Sequence, residues 1–311
     1  MATPFLAVNY RSGTPKVKRY ANASSGDPVV GEVTFGVVDT YTGSNVNGWG
    51  SKNRVIQFGA ERTWYCAVGL SVYRTTDAGL SWAVVHTLTI NAGESMTKSG
   101  LHIVDVGGVP TMFCAYWRTA GSWRISKTTD GTTWSTSGDI TVANILSANQ
   151  AIVDEIIFNG VLYLLLVSAS SVAARIFFFD AAASSGGETT TGIAVGHVGL
   201  SWAAYLGSLY FVGRNAGNTA IMLHNITTGV TIPTVTLFTG TPAVLQGLRH
   251  AEGFVDPATG DLILWIYTTT ALGWQVWRVS PTLSPTDITS TVRPLTLSGT
   301  TGGGNAPASS R

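Results

Sequence analysis

Along most of the chain, apolar residues either alternate with polar ones or run unbroken for a few positions, and a Gly, Asn or Asp then breaks each run. Alternation predicts half-buried strands, and short unbroken runs predict strands buried on both faces. The second pattern appears at Leu162–Val167, Ile176–Phe179, Leu209–Gly213 and Leu262–Tyr267. No window carries an amphipathic period of 3.6. The expectation is an all-β chain joined by tight turns.

The runs repeat. Thr63–Ala67 (TWYCA) and Thr111–Ala115 (TMFCA) match 48 residues apart, which makes Cys66 and Cys114 equivalent positions. Gly160–Tyr163 and Gly207–Tyr210 match 47 residues apart, and Gly260–Ile263 echoes them. First strands then begin near Arg54, Leu101, Ala151, Gly199 and Gln246, in steps of 47, 50, 48 and 47 residues. Each step has room for four short strands. In the first of these units the expected strands are Arg54–Phe58, Thr63–Val68, Ser71–Thr75 and Trp82–Leu88, and in the second Leu101–Val106, Thr111–Trp117, Trp123–Lys127 and one after Trp134. Radial repetition of four-stranded antiparallel sheets is the β-propeller architecture. Six blades are favoured, with Phe5–Val8 opening an irregular first blade within residues 1–50 and Thr291–Leu297 helping to close it. Because Lys16–Tyr20 looks too polar for a buried second strand, five blades plus an N-terminal attachment element is the alternative. Residues 1–298 form one domain on this reading, and 299–311, rich in Gly, Thr, Ser and Pro, form a flexible tail.

Two turns share a chemistry. Thr75-Thr76-Asp77-Ala78-Gly79-Leu80-Ser81-Trp82 recurs in shortened form as Thr128-Thr129-Asp130-Gly131-Thr132-Thr133-Trp134. A short carboxylate can accept backbone N–H groups two or three residues on, Gly supplies φ > 0, and the Thr hydroxyl adds a local bond. The Trp can wedge between sheets. Both stretches resemble the Asp-box, the turn of a β-propeller family that includes sialidases, photosystem assembly factors and several phage virion proteins. On that resemblance Thr75, Asp77, Gly79, Trp82, Thr128, Asp130, Gly131 and Trp134 are structural. The later units lack the motif and are read as degenerate copies.

Composition narrows the function classes. Only 11% of the 311 residues are charged, the net charge is +1, and 45% are apolar. Nothing global calls for nucleic acid. Residues 1–19 lack the apolar core of a signal peptide, and no run is long enough to cross a bilayer, so neither export by the usual route nor membrane insertion is expected. Cys66 and Cys114 are expected as buried free thiols. No phosphate loop, nucleophile elbow or metal-ligand spacing occurs, and no cofactor is expected.

Candidate sites follow from the propeller reading. First strands line the central channel, which nominates Arg54, His102, Asp105, Glu155, Trp202, Arg249, His250 and Glu252 as ligand-binding residues, with Asp154 beside them. Exposed tryptophans on a rim could stack on a glycan, and Trp49, Trp117 and Trp123 are the candidates. Sialidase chemistry would need an arginine triad and a Tyr nucleophile. Arg54, Arg214, Arg249, Arg278, Arg293 and Tyr267 are available, but the family's early Arg-Ile-Pro is absent and Val292-Arg293-Pro294 falls at the wrong end. The resemblance therefore implies a non-enzymatic structural or adhesion propeller of a virus particle, such as a phage tail or fibre component. Its partners would be neighbouring virion proteins and a host-surface glycan. A sialidase-like glycoside hydrolase and a cellular, cytoplasmic protein-binding scaffold are the alternatives.

Overall fold

Sheets succeed one another along the chain without exchanging strands, as short connections between consecutive elements dictate. The computed structural model describes residues 5–9, 16–20, 29–34, 55–91, 96–118, 122–141, 150–168, 174–189, 198–215, 219–226, 234–240, 248–268 and 274–292. Sheet one holds β1 (Phe5–Asn9), β2 (Lys16–Tyr20) and β3 (Val29–Thr34). Sheet two holds β4 (Ile56–Gln57), β5 (Trp64–Val68), β6 (Ser71–Thr75) and β7 (Ala83–Thr87). In sheet three the first strand is split into β8 (Met96–Lys98) and β9 (His102–Val106). Then come β10 (Val109–Arg118), β11 (Ser122–Thr128) and a split fourth strand, β12 (Ser135–Thr136) with β13 (Ile140–Thr141). Sheet four is β14 (Gln150–Phe158), β15 (Val161–Ser168), β16 (Ala174–Asp180) and β17 (Ser185–Thr189). Sheet five is β18 (Val198–Tyr205), β19 (Ser208–Arg214), β20 (Ala220–Asn225) and β21 (Thr234–Thr239). Sheet six is β22 (Leu248–Val255), β23 (Leu262–Thr268), β24 (Trp274–Val279) and β25 (Pro285–Asp287). Within each sheet the strands pair antiparallel in chain order.

Sheets two to six pack face against face, first strand beside first strand (β14 with β18, β18 with β22) and fourth beside fourth (β13 with β17, β21 with β25). That is the arrangement of propeller blades. Its apolar contacts are divided among the seams. Tyr65 and Val72 meet Met112 and Tyr116 between sheets two and three, and Trp123 and Phe113 meet Leu164 and Phe177 between three and four. Ile176 and Leu165 meet Trp202 and Phe211 between four and five, and Tyr210 and Leu223 meet Leu264 and Ile266 between five and six. The unbroken run Leu162–Leu166 explains itself here. Leu162, Leu164 and Leu166 face sheet three while Leu165 faces sheet five, so both faces are buried. Each such side chain contributes about 1.5–3 kcal/mol by leaving water.

The turns carry the chemistry expected of their residues. First-to-second-strand turns use positive φ at two successive positions, Gly107-Gly108 (62° and 85°), Asn159-Gly160 (50° and 78°) and Leu206-Gly207 (50° and 70°), matching the twist of the flanking strands. After β6, the Thr75 hydroxyl donates to Asp77 Oδ1 (2.6 Å) and accepts the Gly79 N–H (2.9 Å), while Ser81 donates its N–H and its hydroxyl to Asp77 (3.0 and 2.6 Å). After β11, the Thr128 hydroxyl accepts the Gly131 N–H (2.9 Å), and Asp130 Oδ1 accepts the N–H groups of Thr132 and Thr133 (both 2.7 Å). Trp134 stacks on His86 of sheet two, centroids 4.7 Å apart and planes within 5°. Trp82 is half buried beside Trp64, Tyr73 and Cys66.

Several expectations are revised. Lys16–Tyr20, polar as it is, pairs as strand β2 between β1 and β3. Thr291 and Val292 lie in a short helix, α1 (Thr289–Val292), and not in a closing strand. The Thr289 N–H bonds Asp287 Oδ1 (2.8 Å) and its hydroxyl accepts the Val276 N–H (2.9 Å), which turns the chain there. Residues 293–311, including the expected tail, lie outside the described residues. The third-to-fourth-strand turn of sheet four is no blank copy, because Asp180 Oδ1 accepts the N–H groups of Ala182 and Ala183 (2.8 and 3.1 Å), as Asp130 does for its own turn. Cys66 and Cys114 are free and fully buried, as expected.

Gly131 has φ +75°, and a Cβ there would run into the phenol ring of Tyr65 across the seam. Gly131→Ala should therefore destabilise the protein by about 1–3 kcal/mol in chemical denaturation. Gly138→Ala, with open space around it, should stay within about 0.5 kcal/mol.

Hydroxyl donation from Ser81 and Thr75 lowers the Asp77 carboxyl from 3.8 to about 2, and the N–H groups of Thr133 and Thr132 lower that of Asp130. A folded value below the unfolded one adds stability that is complete above 3.8 and lost as pH falls through about 2. Thermal midpoints should thus be level from neutrality to just above 3.8 and fall below it, and an Asp77→Asn, Asp130→Asn variant should fall less steeply over that window.

Candidate functional site

The first strands of sheets four, five and six each carry one extra residue at the same level. The register slips between Ile152 and Asp154 in β14, between Gly199 and Ser201 in β18, and between Leu248 and His250 in β22. In sheet three the corresponding break is the gap between β8 and β9, where Ser99 exchanges hydrogen bonds with Ala115. Bulges re-aim side chains. Here the repeat of the bulge places Asp154, Ser201 and His250 at equivalent positions, each followed by the residues named as channel candidates.

The two carboxylates of β14 point to opposite seams. Asp154 Oδ2 accepts the Ser201 hydroxyl (2.8 Å) and the Trp202 N–H (2.9 Å) of sheet five, and its Oδ1 accepts the Glu155 N–H (2.9 Å). Glu155 Oε2 accepts the Gly100 N–H (2.9 Å) of sheet three and lies 3.4 Å from His102 Nε2. All four side chains, Asp154, Glu155, His102 and Ser201, are at most 6% exposed. One dipeptide thus ties sheet four to both neighbours near the axis. Lys98 and Ser99, also buried, complete the polar patch between sheets three and four.

That patch offers no nucleophile at neutral pH. Burial pushes the Cys114 thiol up to about 12, outweighing the nearby Lys98, and raises Cys66 further for the same reason. A thiol held protonated is inert. Among the described residues no group of three or more His, Cys, Asp or Glu side chains could hold a metal ion.

The remaining candidates are dispersed. Asp105 is exposed and closes its own turn by accepting the Gly108 N–H (2.7 Å), so it is a turn former and not a channel ligand. Trp202 is 4% exposed, with its ring edge-on to Tyr163 and Phe211 (6.2 and 6.4 Å), so it packs a seam and offers no stacking face. Arg249, His250 and Glu252 lie on β22, with Arg249 at the bulge, His250 opposite Tyr267 and Glu252 opposite Trp265. Arg54 and Trp49 lie outside the described residues. Trp117 and Trp123 face each other across β10 and β11 at 4% and 0% exposure, and Trp123 packs on Phe177 and Phe179 of sheet four. The exposure needed for a glycan rim is absent at both, because the seam gains more by burying them than solvent contact would return. Of the arginines weighed for a sialidase triad, Arg278 sits on the third strand β24, 3.7 Å from Asp261, and Arg214 ends β19. Neither is on a first strand.

Sequence reasoning missed the acceptors' partners, Gly100 and Ser201, and the turn role of Asp180. The last was detectable, since Asp180 follows Asp130 by one repeat step. Gly100 was not, because a backbone donor leaves no mark in residue type.

No family model matches the chain, and no curated protein matches it. Solved structures do, at low identity. A chain from a nidogen–laminin complex is 10% identical, with a TM-score of 0.44 and coverage of 91% of this chain and 91% of that one. A triple-arginine mutant of AofleA from Arthrobotrys oligospora is 10% identical, with a TM-score of 0.45 and coverage of 89% and 80%. The Dos1 propeller is 13% identical, with a TM-score of 0.46 and coverage of 72% and 54%. The chain also spans about two fifths of a prolyl endopeptidase (41%) and of oligopeptidase B from Leishmania major (38%).

If Asp154 staples sheets four and five, Asp154→Ala strands three buried donors and should cost about 3 kcal/mol. Ser201→Ala should cost about 1 kcal/mol, and the double variant should fall short of additivity by at least about 0.5 kcal/mol. An Asp154→Ala protein as stable as the parent in urea denaturation would contradict the staple.

Proposed function

We propose that the chain is a non-catalytic β-propeller that works as a binding scaffold. The observation that supports this is the commitment of the axial carboxylates. Asp154 spends both oxygens, and Glu155 one, on backbone and hydroxyl donors of the neighbouring sheets. Oxygens so engaged hold blades together. Among the described residues no helix is long and apolar enough to cross a membrane.

We further read the chain as a structural or adhesion component of a virus particle, such as a phage tail or fibre. The support is the resemblance of the Asp77 and Asp130 turns to the Asp-box together with the low charge of 11%. Its partners on this reading are neighbouring virion proteins, with a host glycan as a second ligand for which Trp49 remains the rim candidate. The ring is read as six-bladed with sheet one included, and residues 1–298 as one domain.

Two measurements test the proposal together. Purified protein should give no turnover of a fluorogenic sialoside, and quantitative mass spectrometry of purified particles should find it at a fixed copy number. Turnover that Arg249→Ala abolishes would replace the scaffold with a sialidase-like hydrolase. Absence from particles, with recovery only in host-cell fractions, would replace the virion with a cellular scaffold.

A further inference from the structure

Between sheets four and five lies a cleft of about 210 Å³, lined by Phe158, Tyr163, Phe178, Thr189, Leu209 and Ile226. Drug-sized sites take about 300–1,000 Å³, so this one suits a smaller group. Four of its lining residues, Phe158, Tyr163, Leu209 and Ile226, also belong to the apolar cluster between sheets four and five. Three of its six walls are aromatic.

Register explains how the walls come together. Residues directly opposite across paired strands share one face of the sheet. Tyr163 lies opposite Phe178, and Phe178 opposite Gly187, so one row across sheet four reads Tyr163, Phe178, Gly187. The adjacent row reads Phe158, Val161, Asp180. Both rows face sheet five, since Ile176, two residues before Phe178, packs on Trp202 and Phe211 there. Gly187 lets the Phe178 ring lie against its backbone, since a Cβ there would sit 3.0 Å from Phe178 Cζ. Phe158 and Phe178 are half buried and stack on no other ring among the described residues, while Tyr163 meets Trp202 edge-on at 6.2 Å.

Charge on that face is of one sign. Asp180 stands one row from Phe178 and is half buried. Its Oδ1 takes the Ala182 and Ala183 N–H groups, and Oδ2 is uncommitted among the described residues. The cations nearby belong to the opposite face. Lys127 reaches the Ala181 carbonyl (2.6 Å) from sheet three, and Arg175 lies over the Phe177 ring, paired with Glu188 (2.6 Å). Aromatic faces carry negative charge and attract ammonium ions, most strongly where water is excluded, and a carboxylate at the rim adds to that field.

We propose that this cleft is a binding site for a small alkylammonium cation of about the size of choline, held over Phe158, Tyr163 and Phe178 with Asp180 at the rim. The claim goes beyond the scaffold reading and does not depend on it, because a cation site can exist on either a structural or an enzymatic propeller.

The test uses the full chain and two probes of equal shape, choline and its neutral carbon isostere 3,3-dimethylbutan-1-ol, titrated calorimetrically. Choline should bind saturably at about millimolar concentration and at least about 10-fold more tightly than the isostere. Asp180→Asn keeps an oxygen acceptor for the Ala182 and Ala183 N–H groups, so the turn survives while the charge goes. It should weaken choline about 3- to 10-fold and leave the isostere unchanged. Phe178→Leu keeps apolar bulk and removes the π face, and should weaken choline by a similar factor. Thermal melts of both variants check that they fold. Equal binding of the two probes, or no saturable choline binding by a folded parent protein, would overturn the proposal. Co-sedimentation with phosphatidylcholine vesicles, competed by free choline, identifies the cation's source as a lipid headgroup. Choline binding without vesicle retention identifies a soluble ammonium. Either outcome supports the site.

Discussion

A buried carboxylate that accepts a backbone N–H from the next sheet, as Asp154 does from Trp202 and Glu155 from Gly100, sets the spacing and level of neighbouring first strands. Side-chain packing alone allows sheets to slide, since leucine against leucine is tolerant of small shifts. A hydrogen bond to a fixed amide is not. Sheet four sits between two such bonds, and the clusters around Trp123 and Ile176 pack on either side of it. The cost of desolvating two adjacent carboxylates is met only if each finds donors, which is why the bulge before Asp154 matters: it shifts the strand's alternation, so that Asp154 faces sheet five and Glu155 sheet three.

The turns at the other end of the strands follow a related rule at lower stakes. Asp77, Asp130, Asp180 and, in sheet six, Asp256 each accept an N–H of a residue two to four positions on. These bonds are local and mostly exposed, so each stabilises one hairpin without coupling sheets. Coupling at that level comes from the aromatic that follows, as Trp134 on His86 shows. The molecule therefore uses carboxylates in two roles, distinguished by burial and by the sequence distance to their donors.

Most of the fold was legible in the chain because its determinants are periodic. The strand pairs around Cys66 and Cys114, the apolar run at Leu162 and the Asn159-Gly160 turn all follow from residue type and spacing. The pairing of Lys16–Tyr20 was not legible, because hydrophobic pattern reports which face is buried and not whether a backbone pairs. The site was far less legible. Trp117 and Trp123 looked like rim aromatics from their place beside a Gly-containing loop, yet a Trp at a strand end can turn toward the seam as easily as toward solvent. Asp154 and Glu155 stand out in the sequence as adjacent carboxylates, but their partners are backbone amides, a serine and a histidine from other repeats, and no local pattern predicts which strand meets which. The aromatic cleft depends on register between Tyr163 and Phe178 and on the missing side chain of Gly187, features that exist only once the strands are paired.

Dividing the apolar contacts among seams has an energetic consequence. Among the described residues each large apolar cluster spans a single seam, so contact energy is shared between neighbouring blades and not pooled at a common hub. The joint between sheets four and five pairs the hydrogen bonds of Asp154 with a cleft beside Phe178, so one seam holds both a fixed contact and an unfilled one.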